Sequence, residues 1–73
     1  MNGWHKVGQL GELQNDSGDS LVYGEYGPET YGLYTTVDGR EVCICARSIE
    51  DADDILKRLA SGWRPVNWAK SIR

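Results

Sequence analysis

The stretch "TYGLYTTVDGREVCICAR" leaves this chain little choice of local fold. Asp38-Gly39 is the dipeptide signature of a two-residue type I′ turn, whose two central positions both need positive φ. A tight turn of two residues sets the register of everything on either side. It predicts Val37 opposite Arg40, Thr35 opposite Val42, Leu33 opposite Ile44 and Tyr31 opposite Ala46. Leu33, Val42, Ile44, Tyr31 and Ala46 then share one face, which is the core side. Tyr34, Cys43, Cys45, Thr36 and Glu41 share the other.

Upstream, "SLVYGEYG" alternates between the polar turn "NDSGDS" and "GPET", and so reads as a further strand. "WHKVGQLGEL" is a weaker strand interrupted by Gly8 and Gly11, the pattern of an edge position, a bulge or a loose arm. Downstream, Ser48 with Asp51 resembles a capping box with a shorter acid. Glu50, Asp51, Asp53 and Asp54 fill the first turns, where the helix dipole favours anions. Ile49, Ala52, Ile55, Leu56, Leu59 and Ala60 form an apolar stripe at helical spacing. Gly62 supplies the C-terminal cap and places Trp63 to fold back on the last turn. Pro65 blocks continuation, and "VNWAKSIR" reads equally as a short final strand or an extended tail. The expected fold is α+β: an antiparallel β-sheet of three to four strands packed by one C-terminal α-helix, with or without a short terminal strand. The 73 residues make a single small domain, with 63–73 as tail or final strand.

A core of this size contributes only about 3–5 kcal/mol net, so each buried aromatic matters. The chain has three tryptophans, four tyrosines and no phenylalanine. Every ring therefore carries a polar handle, which suits positions that are half apolar and half wet. Tyr31 and one tryptophan are expected in the core, and Trp4, Tyr26 and Tyr34 on the surface.

Formal charge is -3, but it is divided along the chain. Residues 12–54 hold all eleven acids against Arg40 and Arg47, whereas 55–73 hold Lys57, Arg58, Arg64, Lys70 and Arg73 and no acid. Such asymmetry points to a partner, or else to two differently solvated faces. The basic end is too small to bind nucleic acid alone, because phosphate affinity depends on neutralising many charges together. It serves better as an auxiliary contact with RNA, Trp63 or Trp68 stacking beside Arg64, Lys70 and Arg73. The acidic body is the better primary surface, docking on a basic protein.

Other activities lack their parts. The lone His5, in a glycine-flanked segment, makes a poor general base, and no nucleophile–base pair is evident, so the chain reads as a non-enzyme. Cys43, Cys45 and His5 total three soft ligands where structural zinc normally takes four, so no metal or other cofactor is expected. The two cysteines lie two apart in a strand, a poor geometry for a disulfide, and read as reduced thiols. No apolar run reaches the roughly 20 residues of a membrane span, and residues 1–10 lack a signal-peptide pattern, so a cytoplasmic protein without a membrane partner is expected.

A compact sheet followed by "ARSIEDADDILKRLASGW" resembles small phage-encoded host-takeover proteins. More narrowly, the chain length, the N-terminal "MNGWHKVGQLGEL" and the sheet-then-helix order resemble the small RNA-polymerase-binding transcription regulators of phages, as found in a phage of Xanthomonas. That resemblance implies a monomer in the host cytoplasm. It implies binding to the N-terminal part of the host RNA polymerase β′ subunit, near the β flap and the RNA exit channel. Initiation would be inhibited by σ displacement and read-through of terminators promoted, without an enzymatic step. On this sequence Trp4, His5, Lys6 and Val7 are the candidates for polymerase contact. Charge and position make Arg47, Arg64 and Lys70 the candidates near flap or RNA. The competing reading is an anti-CRISPR-like inhibitor of a nucleic-acid-guided defence complex or nuclease, although Glu12, Asp16, Asp19, Glu25 and Glu29 are scattered rather than aligned along one face. The basic-end hypothesis is checked by Arg64→Glu with Lys70→Glu, which on sequence grounds leaves folding intact and weakens regulation; unchanged partner affinity and regulation would remove it.

Overall fold

The fold grows from the hairpin. In a computed structural model, which describes residues 3–8 and 11–65, strands β4 (Tyr31–Val37) and β5 (Arg40–Ala46) pair through the four oppositions that the turn dictates. Asp38 has φ 54° and Gly39 φ 80°, the left-handed pair that a type I′ turn requires. Three further strands extend the sheet: β1 (His5–Val7), β2 (Glu12–Gln14) and β3 (Ser20–Tyr23). All neighbours are antiparallel, in the order β1-β2-β3-β4-β5. The α+β class is as expected, with five strands where three to four were expected. The difference lies in "WHKVGQLGEL", which is two short strands, the first facing the second with Lys6 opposite Leu13. Gly8 and Gly11 thus flank a chain reversal instead of interrupting one strand.

Between β2 and β3 the segment "NDSGD" is held by Asn15, whose Oδ1 accepts from the Ser17 and Asp19 backbone N–H groups at 3.0 and 2.9 Å. Asp19 in turn accepts from the Thr35 hydroxyl at 2.7 Å. Thr35 is the buried polar residue of β4, and this bond satisfies a hydroxyl that would otherwise be costly to bury.

Helix α1 (Ile49–Ala60) starts at Ser48, whose Oγ accepts from the Asp51 N–H at 3.0 Å. Asp51 reciprocates one residue further back than in a standard capping box, accepting from the Arg47 N–H at 2.9 Å. The helix closes with Gly62 N–H to the Leu59 carbonyl and Trp63 N–H to the Arg58 carbonyl, a Schellman motif. Trp63 does fold back, with the Arg58 guanidinium 5.8 Å from its ring centroid. Ala52, Ile55 and Leu59 are buried, Ile49 and Leu56 pack at the margin, and Ala60 is exposed rather than part of the stripe.

The core lies between the helix and the sheet face carrying Leu21, Leu33, Val42, Ile44 and Ala46. Trp4, expected on the surface, completes it. Its side chain is 4% exposed, and its indole Nε1 donates to Asp53 Oδ1 on α1 at 2.8 Å. Trp4 immediately precedes edge strand β1, and its ring joins the same core cluster as α1, which packs on β5 at the opposite edge of the sheet. The expected final strand falls on 66–72, outside the described residues. Because truncating a buried tryptophan costs about 3–5 kcal/mol, as much as a domain of this size has, Trp4→Ala is expected to be unfolded at 25 °C by far-UV circular dichroism. Cooperative unfolding at an unchanged denaturant midpoint would overturn that assignment.

Candidate partner-binding surface

Alternation along β4 and β5 sends Tyr34, Cys43 and Cys45 to the face opposite the core side. The segment between β3 and β4 folds over part of it. Gly32 has no room for a side chain there, since a Cβ would sit 2.7 Å from Glu25 Cγ and 2.8 Å from Glu25 Cβ. The Tyr26 hydroxyl lies 3.0 Å from Cys43 Sγ and donates to it. Cys43 is consequently buried and Tyr34 half-buried, correcting the exposure expected of Tyr34, whereas Cys45 and Tyr26 remain exposed. Both cysteines are free thiols.

Both Tyr26 and Tyr34 keep their phenolic protons to higher pH than a free tyrosine does. The hydrogen bond to Cys43, followed by burial, pushes the Tyr26 pKa up to about 12. Burial pushes Tyr34 up as well, with Glu25 beside it reinforcing the shift.

A second feature lies on the core side, at the end of the sheet where α1 begins. Tyr23, Glu29, Tyr31, Arg47, Ser48, Ile49 and Glu50 line an open cleft of about 370 Å³. Its aromatic wall is an edge-to-face pair, Tyr23 and Tyr31, with centroids 5.2 Å apart and planes at 71°. Tyr23 is 52% exposed.

The sequence candidates fall at separate places. His5 and Lys6 are exposed and Val7 half-buried on β1, one edge strand of the sheet. Trp4 is withdrawn into the core and cannot present its ring to a partner in this fold. Arg47 is exposed at the cleft, just after the opposite edge strand. Arg64 lies at the other end of that strand, by the hairpin turn. Lys70 is outside the described residues.

Arg64 is a clamp in this structure. Its Nε and Nη2 donate to the two carboxylate oxygens of Asp38 at 3.1 and 3.0 Å, and its Nη1 donates to the Leu59 and Trp63 carbonyls at 3.0 and 2.7 Å. The hydrogen bond and charge of Arg64 lower the Asp38 pKa, and Arg40 adds to the effect. Asp38 therefore favours the fold at neutral pH, a contribution lost as acid protonates it. Arg58 is likewise paired, with Asp54 at 3.0 Å. Arg64→Glu would set two acids against each other at the turn, so the expectation that it leaves folding untouched is revised: it loosens the end of the helix.

Sequence reading missed the cleft, because its lining comes from three separated segments, and it missed the Tyr26–Cys43 contact. The clustering of tyrosines around "YGEYGPETYG" was the one available signal. Among the described residues no group of His, Cys, Asp and Glu is arranged to hold a metal ion, and no helix is long and apolar enough to cross a membrane. Compared with known proteins, the chain matches no family model, no curated protein and no solved structure.

The raised Tyr26 pKa has a defined pH signature. The unfolded tyrosine ionises near pH 10 and the folded one near 12, so the contribution is complete below pH 10 and is lost as pH rises to about 12. Urea midpoints measured from pH 8 to 12 are expected to fall above pH 10, less steeply in Tyr26→Phe. An unchanged slope in the variant would show that the contact carries no linkage.

Proposed function

We propose that this protein is a phage-encoded transcription regulator that binds host RNA polymerase in the host cytoplasm, at the N-terminal region of β′ near the β flap and RNA exit channel. The identity of the partner rests on the sequence resemblance. The physical support is the surface: a body carrying most of the acids also exposes Tyr23 and Tyr26 and holds an aromatic cleft, the combination that anchors protein–protein contacts. The observation that weighs most against nucleic acid as primary ligand is the pairing of Arg64 with Asp38 and of Arg58 with Asp54, which draws cations away from any phosphate.

On this reading the regulator acts without chemistry, as a monomer. Occupying or shifting a σ-contacting surface inhibits initiation. Promoting antitermination requires that the protein bind one arrangement of the exit channel more tightly than another, since a ligand shifts an equilibrium only by its differential affinity. The basic end contributes at most an auxiliary contact with RNA.

Immobilised protein is expected to retain RNA polymerase core from host lysate, with retention weakened but not abolished as salt rises, because charge steers the encounter while aromatic contacts hold it. Retention only of a nuclease or a CRISPR effector complex would replace this reading with the defence-inhibitor alternative.

A further inference from the structure

We propose that the cleft at the start of α1 is an anchor site for one arginine side chain of a protein partner, its guanidinium stacking on Tyr23 and pairing with Glu29 and Glu50. The inference deepens the protein-docking reading above and rests on it.

Shape comes first. At about 370 Å³ the cleft lies at the small end of ligand pockets and is open to solvent on one side, which suits a single long side chain entering from a neighbouring surface. Ile49, a half-buried residue of its lining, offers apolar surface for the methylene stem. An edge-to-face ring pair uses only one face of one ring, so the Tyr23–Tyr31 arrangement leaves aromatic faces uncovered by each other, and Tyr23 is half exposed. A planar guanidinium stacks on such a face, whereas a compact ammonium stays hydrated.

Charge supplies the second part. Glu29 and Glu50 are both exposed, both line the cleft, and neither has an ion-pair partner among the described residues. Arg47 on the same rim leaves one net negative charge, so a bare cation gains little there. A ligand that combines charge with a stacking plane gains more, which favours arginine over lysine or a metal ion. The two carboxylates also disfavour phosphate, despite Arg47 and the helix start.

The third part is backbone. Glu29 has φ 62°, in the left-handed region, which costs a residue with a Cβ about 1–2 kcal/mol relative to ordinary conformations. Glycine would sit there without that cost. Glu29 therefore lines the cleft from a backbone conformation that glycine would adopt more cheaply, an outlier consistent with a ligand contact but secondary to shape and charge.

The test is a ¹H–¹⁵N NMR titration of the whole chain with N-acetyl-arginine amide, and with the citrulline analogue as neutral isostere. Saturable shifts are expected at Tyr23, Tyr31, Ile49 and Glu50 with arginine only. Glu29→Gln, Glu50→Gln and Tyr23→Leu should each weaken the apparent affinity about two- to fivefold. Tyr23→Phe should retain it, as should Glu41→Gln, an equal charge change on β5 away from the cleft. Equal shifts with citrulline, insensitivity to the three variants, or displacement of arginine from these residues by inorganic phosphate would overturn the site. The same variants are then assayed for polymerase retention, where parallel losses support the anchor and retention unaffected by them refutes its role in docking. If arginine seats in the cleft but polymerase is not retained by the wild type, the anchor chemistry stands and the polymerase assignment falls.

Discussion

The positive φ angles at Asp38 and Gly39 are the constraint on which the rest depends. A two-residue turn permits one register, and a slip of one residue would exchange the faces of β4 and β5, sending Leu33, Val42 and Ile44 to the side away from the helix. With the register set, one face is apolar enough to receive α1, and the other carries Tyr34, Cys43 and Cys45. The same turn also holds the far end of the molecule, because the Asp38 carboxylate receives both forks of Arg64 after the helix has ended. One residue thus reverses the chain by its backbone and ties down the post-helical segment by its side chain.

Closure of the core needs a second long-range contact. A single twelve-residue helix packs on β5, and Trp4, just before β1 at the opposite edge, joins the same core while its indole N–H finds Asp53. A phenylalanine-free chain makes such arrangements necessary: each ring placed in the interior brings a polar atom that must be satisfied. Trp4 meets that requirement through an acid whose sequence setting suggested only a helix-dipole role. Tyr26 stays exposed, yet its hydroxyl donates to the buried Cys43 thiol and so lays the β3–β4 segment over it.

These contacts redistribute the charge pattern that first suggested a partner. Of the cations after residue 54, Arg58 and Arg64 are engaged with acids of the body, so the basic end is less a separate arm than its linear spacing implies. What remains outward is an acidic surface with exposed tyrosines, and at the start of the helix a cleft where Glu29, Glu50, Tyr23 and Arg47 meet. Under the proposed reading, such a surface would meet a basic protein through a small number of anchored side chains, with long-range attraction setting the encounter.

Local chemistry alone determined the hairpin, residue against residue, and the helix from Ser48 to its Gly62 cap, because turn φ angles, capping bonds and apolar periodicity are all read within a few positions. It also identified α+β as the class. It did not resolve that "WHKVGQLGEL" is two strands, since three-residue strands carry too little alternation to separate from a bulged one. Tertiary structure decided the burial of Trp4, the covering of Cys43, the clamping of Arg64 and the assembly of the cleft. Trp4 and Asp53 are 49 residues apart and Arg64 and Asp38 are 26 apart, and contacts at such separations leave no periodic trace in the chain. They form only because packing the helix on one edge of a five-stranded sheet leaves particular gaps and brings particular ends together.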